Sequence, residues 1–109
     1  MLGGSTATVC LLRDSSELCI GHVGDSRAIL CRDGRAVRLM QDHDPDVDME
    51  QVRIKSRGGY ISSNSLGSAT VNGRLAMTRS IGDVDLKSCG VTSTPDIHLY
   101  SVRKVFEKR

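Results

Sequence analysis

The sequence predicts an α+β domain of short antiparallel strands with one flanking helix. Apolar runs broken by polar turns fill the first forty residues, a strand-and-turn pattern. One later stretch changes to helical spacing. Eleven glycines against two prolines in 109 residues imply many turns and few long helices. A chain this short holds one domain at most. With one Phe, two Tyr and no Trp, its core must rest on Val, Ile, Leu, Met and Ala.

Residues 7–12 form the first apolar run, followed by a polar turn at 13–16, and Leu18, Cys19 and Ile20 resume the pattern up to Gly24. Residues 28–31 follow, then Asp33-Gly34, a strong hairpin signal, and the partner strand at 37–39. These runs predict a four-stranded antiparallel meander. The period then changes: Asp46 or Asp48 is expected to cap a helix running to about Arg57. Met49 and Val52 stand one turn apart on it, Val47 and Ile54 two turns apart. Gly58 and Gly59 stop the helix. Tyr60 and Ile61 suggest a strand, and the polar stretch 62–70 an exposed, mobile loop. Residues 75–77 read as a strand or a helix start, broken by Gly82. Residues 96–100 alternate polar and apolar, as an edge strand would. There is no internal repeat.

The net charge of +2 is small. Both signs alternate from residue 42 to 57, which reads as a solvated face rather than a nucleic-acid stripe. The basic tail of Arg103, Lys104, Lys108 and Arg109 is short and carries Glu107, so nucleic acid is not an expected partner. No run of eighteen apolar residues occurs, so no membrane span is expected. Residues 1–5 carry neither a signal-peptide nor a transit-peptide pattern. Cys10, Cys19, Cys31 and Cys89 make no Cys-x-x-Cys pair, which argues against a zinc ribbon or a thioredoxin-type site. Three of them sit in apolar runs, so reduced, buried thiols and an intracellular compartment are expected.

Two aspartates carry the candidate chemistry. Asp25 lies between Gly24 and Ser26 where one strand run ends and the next begins, and Asp83 follows Gly82 in the same way. Mg²⁺ and Mn²⁺ are hard ions that take oxygen ligands, so carboxylates presented at strand ends suit them. Either residue alone reads equally as a turn cap. Asp85 lies two residues beyond Asp83, which in an extended stretch would put both on one face. His22 reads as a core or sheet-face histidine, His43 as a ligand or a loop-ordering hydrogen-bond partner, and His98 as solvent-facing. The segment 24–28 lacks the second glycine of a serine-hydrolase nucleophile elbow. Residues 3–6 lack the Gly-Lys-Ser/Thr of a phosphate loop.

Several segments resemble one family in order and spacing. They are Gly4-Ser5-Thr6-Ala7, Val23-Gly24-Asp25-Ser26-Arg27-Ala28, Gln41-Asp42-His43-Asp44-Pro45, Arg57-Gly58-Gly59, the run from Arg74 to Asp83, and Gly90-Val91 with Thr94-Pro95-Asp96. Together they resemble the metal-dependent serine/threonine phosphatases of the protein phosphatase 2C family. The resemblance implies a partial protein phosphatase 2C-type α/β sandwich, antiparallel sheets with a flanking helix, and makes residues 1–109 the central part of a phosphatase domain, incomplete at both ends. It implies Mn²⁺ or Mg²⁺ as cofactor and a metal-activated water that attacks phosphorus in a phosphorylated protein substrate. Asp83 becomes a ligand of the metal centre. Asp25 matches an aspartate of an additional, weaker metal site that Asp83 would share. The stretch 62–70 would lie in the flap beside the cleft.

The family's upstream Asp-Gly-His-Gly segment, its phosphate-holding arginine and its downstream Asp-Gly-x-x-Asp segment do not occur in the chain. The general acid and the phosphate ligand therefore lie outside it, and the chain alone is expected to be nearly inactive and poorly stable. The alternative is a non-catalytic, truncated phosphatase-like fragment that acts as a binding module or has no independent role. Asn64-Ser65-Leu66-Gly67 followed by Val71-Asn72-Gly73-Arg74 is closest to the mitochondrial branch of the family, which includes the phosphatase of the branched-chain α-ketoacid dehydrogenase complex. That resemblance implies the mitochondrial matrix, with the cytoplasm as the alternative. The sequence identifies neither the phosphoprotein substrate nor the oligomeric state.

Overall fold

A computed structural model describes residues 3–101; the start at residues 1–2 and the basic tail at Arg103, Lys104, Lys108 and Arg109 lie outside them. β1 (Gly4–Ser5) leads into β2 (Ala7–Arg13), which pairs antiparallel with β3 (Glu17–Val23), from Ala7 opposite Val23 to Arg13 opposite Glu17. β4 (Ile29–Arg32) and β5 (Arg35–Arg38) make a second hairpin. Its turn is the expected Asp33-Gly34, both with positive φ at 53° and 75°. Such a turn has the twist that two antiparallel strands need.

α1 (Asp48–Ser56) forms where the spacing predicts a helix, but Val47 is its N-cap and no side chain caps it. Asp44 starts the turn instead, its Oδ1 accepting the Asp46 N–H at 2.9 Å. Met49 and Val52 face solvent, while Glu50 and Ile54, one turn apart, are buried. Of the apolar positions at helical spacing, Ile54 lies on the inner face and Met49 and Val52 do not, because the paired carboxylate of Glu50 shares that face with Ile54. The helix closes with the Gly59 N–H on the Ile54 carbonyl at 3.0 Å. β6 (Ile61–Ser63) and β7 (Ala69–Val71) then pair as a hairpin, so both ends of the stretch expected to be a loop are strand, and only its tip is a turn. Asn64 Oδ1 organises its tip by accepting the N–H groups of Leu66 and Ser68 at 2.9 and 3.0 Å. Residues 75–77 belong to neither a strand nor a helix; Leu75 makes only an isolated bridge to Val71.

β8 (Ile81–Gly82) pairs with β1, Gly4 opposite Gly82 and Ser5 opposite Ile81. α2 (Val84–Lys87) is a single turn, and β9 (Asp96–Ser101) completes the chain described. β9 is an edge strand, as expected, but it lies against β3 in a sheet ordered β2-β3-β9. The four-stranded meander therefore does not form. β3 gives its free edge to β9, and the second hairpin stands as its own sheet.

The sheet's two faces differ. On the inner face Leu18, Ile20 and Tyr100 pack with Leu39, Met40, Ala28 and Leu30, and the Tyr100 hydroxyl donates to the Leu39 carbonyl. On the outer face the register aligns Val9 with Gly21 and Ile97, and Leu11 with Cys19 and Leu99. Val9, Leu11, Ile97 and Leu99 are all more than half exposed. In β9 it is therefore the polar positions 96, 98 and 100 that turn inward. His98 is half-buried rather than solvent-facing, its ring between those of His22 and Tyr100 at 5.8 and 6.4 Å. A second small core joins Ile54, Val71, Leu86 and Val91 beneath α1 and α2. All four cysteines are free thiols, but Cys10 and Cys31 are exposed and Cys19 and Cys89 half-buried, so the expected burial fails. Cys10 and Cys31 sit in strands with few partners to cover them.

Candidate metal centre

Asp83 sits between β8 and α2 with left-handed backbone, φ 47° and ψ 48°. That conformation costs a residue with a Cβ on the order of 1–2 kcal/mol, and aspartate is among the residues found there. The β1–β8 pairing and the Asp83 N–H, donated to the Gly3 carbonyl at 2.9 Å, hold the residue there. Its carboxylate lies directly over Gly4, where any Cβ would fall inside the carboxylate group. Gly4 therefore leaves a cradle that no other residue would. The Lys87 ammonium, whose charge interacts with Asp83, donates to Ser80 O and Oγ at 2.7 and 3.3 Å. Burial lowers the Lys87 pKa, and the Asp83 charge opposes that. Asp85 does not join Asp83, because α2 begins between them and Asp85 pairs with Arg74.

Asp25 is exposed in the turn that leaves β3. Gly24 makes that turn at φ 103°, and a Cβ on it would run into the Thr6 side chain. Thr6 Oγ1 and Ser26 Oγ share a hydrogen bond of 2.7 Å. Thus Gly4 underlies Asp83 while Thr6 abuts the turn carrying Asp25, so both aspartates flank residues 4–6. Among the described residues, no group donates a hydrogen bond to either carboxylate. Two carboxylates free of protein donors, one over a bare backbone, match the oxygen ligands that a hard divalent ion takes.

His43 holds the Asp25 turn from behind. Its Nδ1 accepts the Gly24 N–H at 3.0 Å, and its own N–H donates to the Gly24 carbonyl at 2.9 Å. An amide can only donate, so the ring proton is on Nε2, which donates to Asp96 Oδ2 at 2.8 Å. Asp96 Oδ1 accepts from Arg79 at 2.9 Å, and Arg79 reaches both oxygens of Glu50 at 3.1 and 3.0 Å. Thr78 and Arg53 also donate to Glu50, at 2.7 and 3.0 Å. Burial would raise the Glu50 carboxyl pKa, but the Arg79, Arg53 and Thr78 donors outweigh it and hold the pKa at about 2. Burial likewise works against Asp96, which the His43 and Arg79 hydrogen bonds keep below its ordinary value. For His43, burial wins: the imidazole is held below its ordinary pKa although Asp96 opposes this.

His22, His43 and Asp96 place one potential ligand atom each within 4.8 Å of one another. His43 and Asp96 are hydrogen-bonded to each other and His22 stacks on His43, an arrangement that does not make a ligand set. The His22 and His43 rings stack at 4.2 Å and 8°, so their in-plane lone pairs run side by side instead of converging. Both His43 nitrogens are occupied, and His22 Nε2 bonds to the Gln41 carbonyl at 2.9 Å. Of the two roles open to His43 in the sequence, the structure shows the loop-ordering one, and His22 is buried as expected. Sequence reasoning missed Glu50, which lies in the stretch read as solvated, and the cradle at Gly4. Arg79 and Asp96 stood inside family-like segments without a role of their own.

The sequence profile of the family described as protein phosphatase 2C matches residues 1–106. The chain is 59% identical over 93 residues to mitochondrial protein phosphatase 1K of Xenopus laevis, a match covering 85% of this chain and 25% of that protein. It is 45% identical over 104 residues to protein phosphatase 1L of Bos taurus, covering 94% and 28%. Its structure resembles a C. elegans sex-determining protein, with a TM-score of 0.84, 28% identity and coverage of 92% and 24%. It also resembles a serine-threonine phosphatase 2C from Toxoplasma gondii, with a TM-score of 0.77, 26% identity and coverage of 91% and 37%. The chain thus spans about a quarter of the curated relatives named here.

Proposed function

Since the chain belongs to the protein phosphatase 2C family, we propose that it carries metal-binding aspartates of a Mn²⁺- or Mg²⁺-dependent enzyme that hydrolyses phosphoserine and phosphothreonine in proteins. Asp83 is the ligand of the main centre and Asp25 belongs to a weaker site shared with it. The observation that carries this reading is the Asp83 carboxylate, held over the bare backbone of Gly4 with no protein donor. When bound, such ions supply a water of lowered pKa and offset charge on the phosphoryl oxygens. The chain's own part is to present the two carboxylates: the β1–β8 pairing fixes Asp83, and the Thr6–Ser26 bond and His43 fix the turn of Asp25. The substrate is a phosphorylated protein. The identity to a mitochondrial relative supports the mitochondrial matrix as its compartment.

The chain by itself is a segment of that site rather than a working enzyme. A lone pair of carboxylates holds Mg²⁺ or Mn²⁺ weakly, because these ions rely on several ligands and retained waters. The test compares the chain, Asp83→Asn and an EDTA control for Mn²⁺ binding and for hydrolysis of a phosphothreonine peptide. Asparagine tolerates the left-handed backbone, so the variant keeps the turn while removing the charge. Weak Mn²⁺ binding lost in the variant, with hydrolysis at the EDTA baseline, is expected. Binding that survives the substitution would overturn the role of Asp83, and EDTA-sensitive turnover would show that the chain is an enzyme as it stands.

A further inference from the structure

We propose that His43 is a positioning residue for the Asp25 carboxylate: its Nδ1 holds the Gly24 amide and so sets where the turn presents Asp25, while the Nε2 bond to Asp96 fixes the tautomer that leaves Nδ1 an acceptor. The inference rests on the reading of Asp25 as a metal ligand. It stands on a continuous geometry. One imidazole nitrogen accepts the Gly24 N–H at 3.0 Å, and the other donates to Asp96 at 2.8 Å. The His43 backbone closes a second link to the Gly24 carbonyl at 2.9 Å and accepts the Thr78 N–H at 3.0 Å. Asp96 is fixed in turn by Arg79, whose guanidinium is held on the buried Glu50.

Asp25 itself has no such support. It is exposed, its flanking glycine is conformationally free in isolation, and no described group donates to its carboxylate. Behind it, among the described residues, stands His43, with Thr6 and Ser26 on the other side. The neighbouring Asp42 accepts from Arg27 at 3.2 and 3.1 Å and from Arg38 at 3.3 Å, so the residue before His43 braces the far end of the same turn. The two segments, 24–27 and 42–43, are one structural unit although they are far apart in sequence. Groups that fix the orientation of a metal ligand typically change affinity about 10- to 100-fold when removed.

Two substitutions separate the two nitrogens. In His43→Asn the amide oxygen can occupy the place of Nδ1 and still accept from Gly24, while the link to Asp96 is lost. In His43→Gln the amide nitrogen can occupy the place of Nε2 and still reach Asp96, while the acceptor for Gly24 is lost. The experiment uses the ¹⁵N-labelled chain and reads Mn²⁺-induced broadening of amide signals, which reports weak binding, together with hydrogen exchange at the Gly24 amide. His43→Gln is expected to weaken Mn²⁺ binding about tenfold and speed Gly24 exchange, while His43→Asn stays near the parent in both. Asp25→Asn and Asp83→Asn are the controls on the underlying reading. Broadening lost in these controls but unchanged in His43→Gln overturns the positioning role alone. Broadening that ignores the controls, or is absent from the parent chain, overturns the metal reading and the inference with it. Equal losses in both His43 variants, or unfolding of both, would make His43 a core residue and also overturn the proposal.

Discussion

A single methyl group is the smallest probe of the Asp83 cradle. In Gly4→Ala the new Cβ would occupy the position of the Asp83 carboxylate, so the side chain must leave. Because the clash is with the end of a flexible, partly exposed side chain, it is relieved by a rotamer change and costs little stability. The variant is expected to stay folded and abolish Mn²⁺-induced broadening at residues 82–84. A folded Gly4→Ala chain that keeps the broadening would show that the carboxylate binds elsewhere than over Gly4. At this scale the sequence was informative about chemical type and silent about surroundings. Asp25 and Asp83 stood out because a glycine precedes each. Nothing local announced that Gly4, far back in the chain, would lie under Asp83, because that contact exists only once β1 and β8 pair.

Among the elements, α1 carries the least expected group. Glu50 is buried on its inner face and bound by Arg79, Arg53 and Thr78. Its folded pKa of about 2 lies below the ordinary 4.5, so ionised Glu50 favours the folded state. For a depressed carboxyl, that stability is present above the unfolded pKa and is lost as pH falls through the folded one. The chain is therefore expected to lose on the order of 3 kcal/mol between about pH 5 and pH 2 from this group. Glu50→Gln should destabilise the chain by roughly 3 kcal/mol at neutral pH, by leaving Arg79 short of its charge partner, and flatten the acid dependence. Urea melts of both chains across that pH range check it; an unchanged acid dependence in the variant would remove Glu50 from the account. The helix itself was legible from spacing and from Gly58-Gly59. Its inward face was legible only at Ile54, because the apolar period does not distinguish Ile54 from the exposed Met49 and Val52, and the place beside Ile54 goes to Glu50 through an ion pair supplied from Arg79.

For the molecule as a whole, the unequal faces of the β2-β3-β9 sheet set the behaviour in solution. Val9, Leu11, Ile97 and Leu99 form an outward apolar surface, and the buried residues divide into two small clusters. Little apolar area is then removed from water, and net stability is a small difference between large terms. The chain alone is expected to bind a hydrophobic dye and to melt with low cooperativity, and replacing those four residues by threonine should abolish the dye signal without lowering the midpoint. A sharp transition with no dye binding would contradict this.

By itself the sequence determined the antiparallel, hairpin-built character of the chain, the Asp-Gly turn, the site of the helix and the family, and it singled out Asp25 and Asp83 as candidate ligands. Those features are written in local composition and spacing, so neighbouring residues suffice to read them. Tertiary structure alone decided that β3 pairs with β9 rather than β4, that polar residues of β9 turn inward, that Gly4 lies under Asp83, and that Gly24, His43, Asp96 and Arg79 join behind Asp25. Each of those contacts joins groups distant in sequence. It is set by which strand edges and buried charges find partners across the folded chain, and no local period records that choice.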